Sequence, residues 1–109
     1  MGEEGVMNLK VRAAVMGYRV DSNTGRIRAV IVAVQSKGKW RVAGGVTKGI
    51  SPEVIEALES QVDSIRRKEP FIKTRYKARW VEPAIRCDIR ADYSEKEDKF
   101  KSLQFLSLR

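Results

Sequence analysis

Apolar and polar residues alternate along most of this chain with the period of a strand, and one stretch keeps the period of a helix. Val11, Ala13 and Val15 alternate with Arg12, Ala14 and Met16, which predicts a first strand ending at Tyr18 or Val20. Asp21-Ser22-Asn23-Thr24-Gly25 then reads as a turn, because Asp and Asn bond their own backbone and glycine takes positive φ. Residues 27–34 are almost continuously apolar, with AVIVAV at the centre. A short β-branched run bounded by Gly25 and Gly38 predicts a strand buried on both faces. Ser36-Lys37-Gly38 predicts a tight hairpin turn into a third strand over residues 39–46. There Trp40 and Val42 face one side, and Lys39, Arg41 and Ala43 the other. Gly44-Gly45 allows a sharp bend or the close approach of another backbone.

The helical stretch starts at Ser51-Pro52-Glu53. Serine caps the first turn, proline gives up an N–H that would be unpaired anyway, and glutamate meets the positive helix end. Val54, Ile55, Leu58, Val62 and Ile65 form one apolar stripe, which carries the predicted helix to Arg66-Arg67-Lys68 at its negative end. Pro70 stops it. Residues 73–89, KTRYKARWVEPAIRCDI, carry the most information. Arg75, Lys77 and Arg79 alternate with Tyr76, Ala78 and Trp80, which predicts a fourth strand with a cationic face and an apolar face. Pro83 predicts a turn. Behind it Ile85, Cys87, Ile89 and Ala91 point inward from a fifth strand, between Arg86, Asp88, Arg90 and Asp92. Residues 94–99 form a charged turn, and Phe100, Leu103, Phe105, Leu106 and Leu108 make either a closing strand or a short helix.

Three strands, one helix and two or three further strands describe a mainly β fold. The expected architecture is an OB-fold, a five-stranded Greek-key barrel with one α-helix between strands three and four. With 109 residues the chain is read as one domain over residues 9–109, after a flexible lead-in at residues 1–8. The single Cys87 excludes an internal disulfide framework, and the lack of histidine excludes a histidine base and mixed Cys/His zinc sites. No apolar run approaches the roughly 20 residues of a membrane helix, and the N-terminus has no signal-peptide pattern. An intracellular protein, cytoplasmic or nucleoid-associated, is expected. The 22 Lys and Arg against 14 acids give a net charge of +8. Because these cations cluster on predicted strands, the charge points to a polyanionic partner.

The chain resembles the C-terminal OB domain of ATP-dependent DNA ligases. The resemblance is carried by Gly17-Tyr18, by residues 41–51 (RVAGGVTKGIS), by Arg79-Trp80-Val81-Glu82-Pro83 and the strand behind it, and by residues 103–109 (LQFLSLR). It runs in order and register over about residues 13–109. Lys10-Val11-Arg12 is similar to the KxK motif that leads into the family's domain, at a shorter spacing. The resemblance implies a domain that closes over the minor-groove side of a nicked duplex and swings towards the nucleotide site during self-adenylation. It also implies that Arg109 contacts ATP phosphates, although the Asp-Lys that follows this arginine in the family is absent. No KxDG motif is present. The expected function is therefore DNA binding without catalysis by the chain alone, within nick sealing for DNA repair, replication or recombination. The implied partners are nicked duplex DNA and a nucleotidyltransferase domain in cis or in trans. ATP and magnesium would belong to the parent ligase and not to this domain.

Arg75, Lys77 and Arg79 are the leading phosphate-contact candidates. Lys37, Lys39 and Arg41 follow at the second hairpin, and Lys48 in the glycine-rich segment, where a plain bend is the competing reading. Trp40, Trp80 and Tyr18 could stack on bases, but both tryptophans lie on the apolar phase of their strands and suit a core better. Cys87 reads as a small buried hydrophobe. Asp88 and Asp92 alternate with Arg86 and Arg90, a spacing that suits lateral ion pairs across strands more than acid–base chemistry. The main alternative is a free-standing OB module binding single-stranded DNA or RNA, which exposed aromatics would favour. A small enzyme is disfavoured by the lack of histidine, of a metal-ligand cluster and of a phosphate loop.

Overall fold

A computed structural model describes residues 5–109. Its elements are β1 (Val6–Val20), β2 (Ile27–Ser36), β3 (Lys39–Val46), α1 (Pro52–Glu59), a 3₁₀ turn (Val62–Ile65), β4 (Arg66–Arg67), β5 (Arg79–Ser94) and β6 (Lys99–Leu108). All ladders are antiparallel, in the order β3-β2-β1-β5-β4, with β6 on β5. The barrel closes between the loop after β3 and β6. Phe105 N donates to Lys48 O at 2.8 Å, and Lys48 and Gln104 form a parallel bridge. This is the expected OB-fold, with the helix after the third strand.

The long β1 serves two neighbours. Ala14 to Val20 pair with β2, whereas residues 6–13 pair with β5 alone among the described residues. Val6 to Asn8, expected in a lead-in, are thus strand; residues 1–4 lie outside the described residues. The first turn forms as its sequence dictates: Asp21 Oδ1 accepts from the backbone N of Asn23 and Thr24 at 2.8 and 3.1 Å. Lys37 and Gly38 both take positive φ, 53° and 77°, in the two-residue turn between β2 and β3.

Three sequence expectations change. The helix ends at Glu59, and the apolar stripe continues through the 3₁₀ turn, where Val62 is buried. Arg66 and Arg67 therefore do not cap a helix; they pair with Val81 and Trp80 of β5. Residues 68–78 make no ladder. The alternation read there as a strand belongs to an extended segment that lies over the sheet, and the strand begins only at Arg79. Pro83 does not turn the chain. It sits in a bulge of β5, where the β1 register jumps from Val15↔Ile85 to Gly17↔Trp80. A proline that cannot donate to the ladder fits such a bulge.

Strand β2 is buried on both sides, which explains its unalternating AVIVAV. Inside the barrel Val15, Val30, Val32, Val34, Cys87, Ile89 and Phe105 pack with Leu58 and Val62 of the helical turns. Outside it, Met16, Ile31, Ala33 and Trp80 form a second cluster with Trp40, Val42, Phe71, Ile72 and Ala78. Segment 68–78 supplies three of these and so roofs the outer face of β1, β2 and β3. Gly17 lets the roof sit low: a methyl there would lie 2.6 and 2.8 Å from Cε3 and Cζ3 of the Trp80 indole.

Helix α1 is fastened to β2 by Glu59, which accepts from Ile27 N at 3.0 Å and from Arg26 Nε at 2.9 Å. The bond from Ile27 N, more than the guanidinium, holds the Glu59 carboxyl below its ordinary range. Asp21 is lowered likewise by its two backbone donors. A carboxyl whose pKa is lower folded than unfolded stabilises fully above its unfolded pKa and loses that contribution as pH falls through its folded value. The unfolding midpoint should accordingly be level near neutrality and fall below about pH 4. Glu59→Gln should start lower and fall less steeply; a thermal-unfolding series across acid pH measures both.

Candidate nucleic-acid interface

The predicted cations divide into two groups that the fold sets in different surroundings. Arg75 and Lys77 are exposed on segment 68–78, as is Tyr76 between them, while Phe71, Ile72 and Ala78 hold the segment down. Arg19 ties the segment's end to β1. Its Nε donates to Lys77 O at 2.8 Å, and its guanidinium stands 5.9 Å from the Tyr76 ring. Arg79, the first residue of β5, lines a recess with Arg66, Arg67, Lys68, Ala78 and Trp80. Arg75, Lys77 and Arg79 form no ion pair among the described residues.

The hairpin group is partly spent. Arg41 donates Nη1 to Asp98 Oδ1 at 2.8 Å and Nη2 to Asp98 O at 2.6 Å, with Phe100 under its guanidinium at 5.7 Å. It latches β3 to the β5–β6 turn across the barrel mouth and is no free phosphate donor. Asp98 also accepts from Tyr93, whose hydroxyl with the Arg41 guanidinium keeps the carboxylate below its usual range; the same hydrogen bond pushes the Tyr93 phenol up. Lys37 and Lys39 remain exposed at the hairpin tip and form no ion pair among the described residues. Lys48 keeps an exposed side chain, while its backbone belongs to the barrel seam. The glycine-rich segment therefore serves closure, since Gly49, at φ 83°, lies against Phe105 O.

Trp40 and Trp80 are indeed packed, but outside the barrel and not within it. Trp40 meets Phe71 edge-on at 5.8 Å and carries the Arg86 guanidinium at 5.1 Å. Trp80 is 9% exposed, and Tyr18 is buried in the inner core. Cys87 is fully buried, and burial pushes its thiol up to about 12, so it offers no thiolate. The cross-strand ion pair expected of Asp88 forms, with a residue just past β6, whereas Asp92 pairs with no cation among the described residues. Buried Asp88 accepts from Arg109 Nη1 at 3.1 and 3.0 Å, and Asp92 accepts from Asn8 at 2.8 Å while Asn8 accepts from Arg90. Arg109, read from the resemblance as an ATP-phosphate contact, is thus held by Asp88, yet it still opens onto a recess with Arg12, Gln35 and Arg86.

Sequence reasoning missed Arg19, Arg66 and Lys68 as members of this surface. The run Arg66-Arg67-Lys68 was a visible signal, but helix periodicity assigned it to a helix end.

The fold and this surface define a class: a small OB barrel with exposed cations at the β2–β3 hairpin and around segment 68–78, and with its outer aromatic face roofed over. The family follows from the sequence, since the model of the ATP-dependent DNA ligase C-terminal region matches residues 23–109, and the chain belongs to that family. Two solved structures share the fold. The ligase domain of LigD from M. tuberculosis superposes with a TM-score of 0.79 at 16% identity, covering 94% of this chain and 35% of that one. Mycobacterial DNA ligase D complexed with ATP and MES gives 0.69 at 20% identity, covering 93% and 34%. The chain thus spans about a third of the length of either. Among curated proteins none matches. No helix of the described residues is long and apolar enough to cross a membrane.

Proposed function

We propose that this chain is the duplex-gripping module of an ATP-dependent DNA ligase, which holds the phosphate backbone at a nick while a nucleotidyltransferase domain does the chemistry. One observation carries the reading. Segment 68–78 covers the outer β1–β2–β3 face with Phe71, Ile72 and Ala78 and leaves Arg75 and Lys77 exposed. A single-strand binder stacks unpaired bases on exposed aromatics. Here Trp40 and Trp80 pack with the roof, whose cations Arg75 and Lys77 are exposed. Such cations neutralise phosphates without reading sequence, which is what sealing a nick in any sequence demands. ATP and magnesium are assigned to the catalytic partner, and roles in repair, replication or recombination follow from the reaction class.

Titration of the protein against nicked duplex, intact duplex and single strands by fluorescence anisotropy tests this. Duplex should bind more tightly than single strands, with a steep salt slope. Arg75→Glu with Lys77→Glu should weaken duplex binding at least about tenfold and flatten the slope by about 2, with the unfolding midpoint unchanged. Preference for single strands, or a variant that binds as the wild type does, would refute the assignment.

A further inference from the structure

We propose that the recess between β4 and the start of β5 holds one phosphate of the nucleic-acid backbone, through Arg66, Lys68 and Arg79. The inference rests on the duplex binding proposed above, and it assigns a seat that the pattern of alternating cations does not contain.

The recess, of about 350 Å³, has cations on both sides and Ala78 and Trp80 as its apolar wall. Two of its guanidiniums play different parts. Arg67 is committed to the fold: Nη1 donates to Glu82 at 3.1 Å and Nε to Glu69 O at 3.1 Å. Arg66 has a single contact, Nη1 to the Tyr18 hydroxyl at 3.5 Å, and is otherwise exposed with donors to spare. Lys68 and Arg79 are exposed, and neither forms an ion pair among the described residues. The ladder Arg66↔Val81 and Arg67↔Trp80 sets β4 against the start of β5, and Lys68 follows β4 directly, so the three cations line one recess.

Three cations without an ion-pair partner among the described residues, set beside an apolar wall, suit an oxyanion, because hydrogen bonds between charged groups are stronger than neutral ones. A repeating polyanion fits better than a free one. Arg79 is shared between the recess and the row Arg75, Lys77, Arg79, so successive phosphates could engage the row and the recess together.

The test compares Arg66→Gln with Lys68→Gln against a control of equal charge loss at the opposite hairpin, Lys96→Gln with Lys99→Gln. Nicked duplex is titrated at several salt concentrations, and Lys68→Gln alone, at an exposed side chain without a hydrogen-bond partner, keeps the result independent of folding. The expected result is about a tenfold weakening and a slope flatter by about 2 for the recess pair, with at most a small change for the control. Equal effects in the two pairs would overturn the recess while leaving duplex binding intact. If the wild type fails to bind duplex, the reading of function fails, and inorganic phosphate followed by amide shifts then decides. Shifts confined to residues 66–68 and 78–80 would overturn only the nucleic-acid assignment; their absence would overturn the site.

Discussion

Gly49→Ala should cost the domain about 3 kcal/mol, from two separable causes. Gly49 stands at φ 83°, where an L side chain is strained, and a methyl there would be driven into Phe105 O. Relief of that collision requires the loop after β3 to lift from β6 and break the bond from Phe105 N to Lys48 O, the one hydrogen bond that closes this side of the barrel among the described residues. Gly25→Ala is the matched control. Gly25 has φ 72° but nothing within 4 Å of a methyl, so it carries the strain alone, about 1 kcal/mol. Urea unfolding of the two variants reads the difference directly. Equal losses would mean that the seam contributes nothing beyond backbone strain.

Trp80→Ala should be as costly, about 3–5 kcal/mol, and should also weaken duplex binding. The indole is 9% exposed and lies between the backbone of β1 at Gly17 and the roof formed by segment 68–78. Without it the segment loses the centre of its seat, and Arg75 and Lys77 lose their fixed position. Trp40 then remains as the sole tryptophan. Its emission should shift to the red as the Phe71 contact loosens. A loss under about 1 kcal/mol would show the outer cluster to be loosely packed, and full duplex affinity in the variant would separate the roof from binding.

Local chemistry carried much of the fold into view. The helix start was legible in Ser51-Pro52-Glu53, and Ser51 Oγ does accept from Val54 N at 3.3 Å. Its end was not, because Val62 and Ile65 keep a spacing that a 3₁₀ turn satisfies as well as an α-helix does. The two-sided burial of β2 was legible in AVIVAV, but not what covered its outer side. Residues 73–80 show why. Alternation reports that one side of an extended chain is covered; it says nothing about whether the neighbour is a hydrogen-bonded strand or the flat of a sheet. The candidate site divides in the same way. Exposure of Arg75, Lys77 and Arg79 followed from phase, whereas the loss of Arg41 to Asp98 depended on a residue 57 positions away that no local pattern can place.

The divided loyalty of β1 has a mechanical consequence. Among the described residues, positions 6–13 are held by β5 alone, whereas β1 from Ala14 to Tyr18 is held on both edges. A pull at the amino end meets one ladder, opened bond by bond, and then stops where β2 joins. Of these roughly 26 Å of strand, the stretch up to Lys10 can be drawn out as slack and rewound before the inner cluster is reached at Val11 and Ala13.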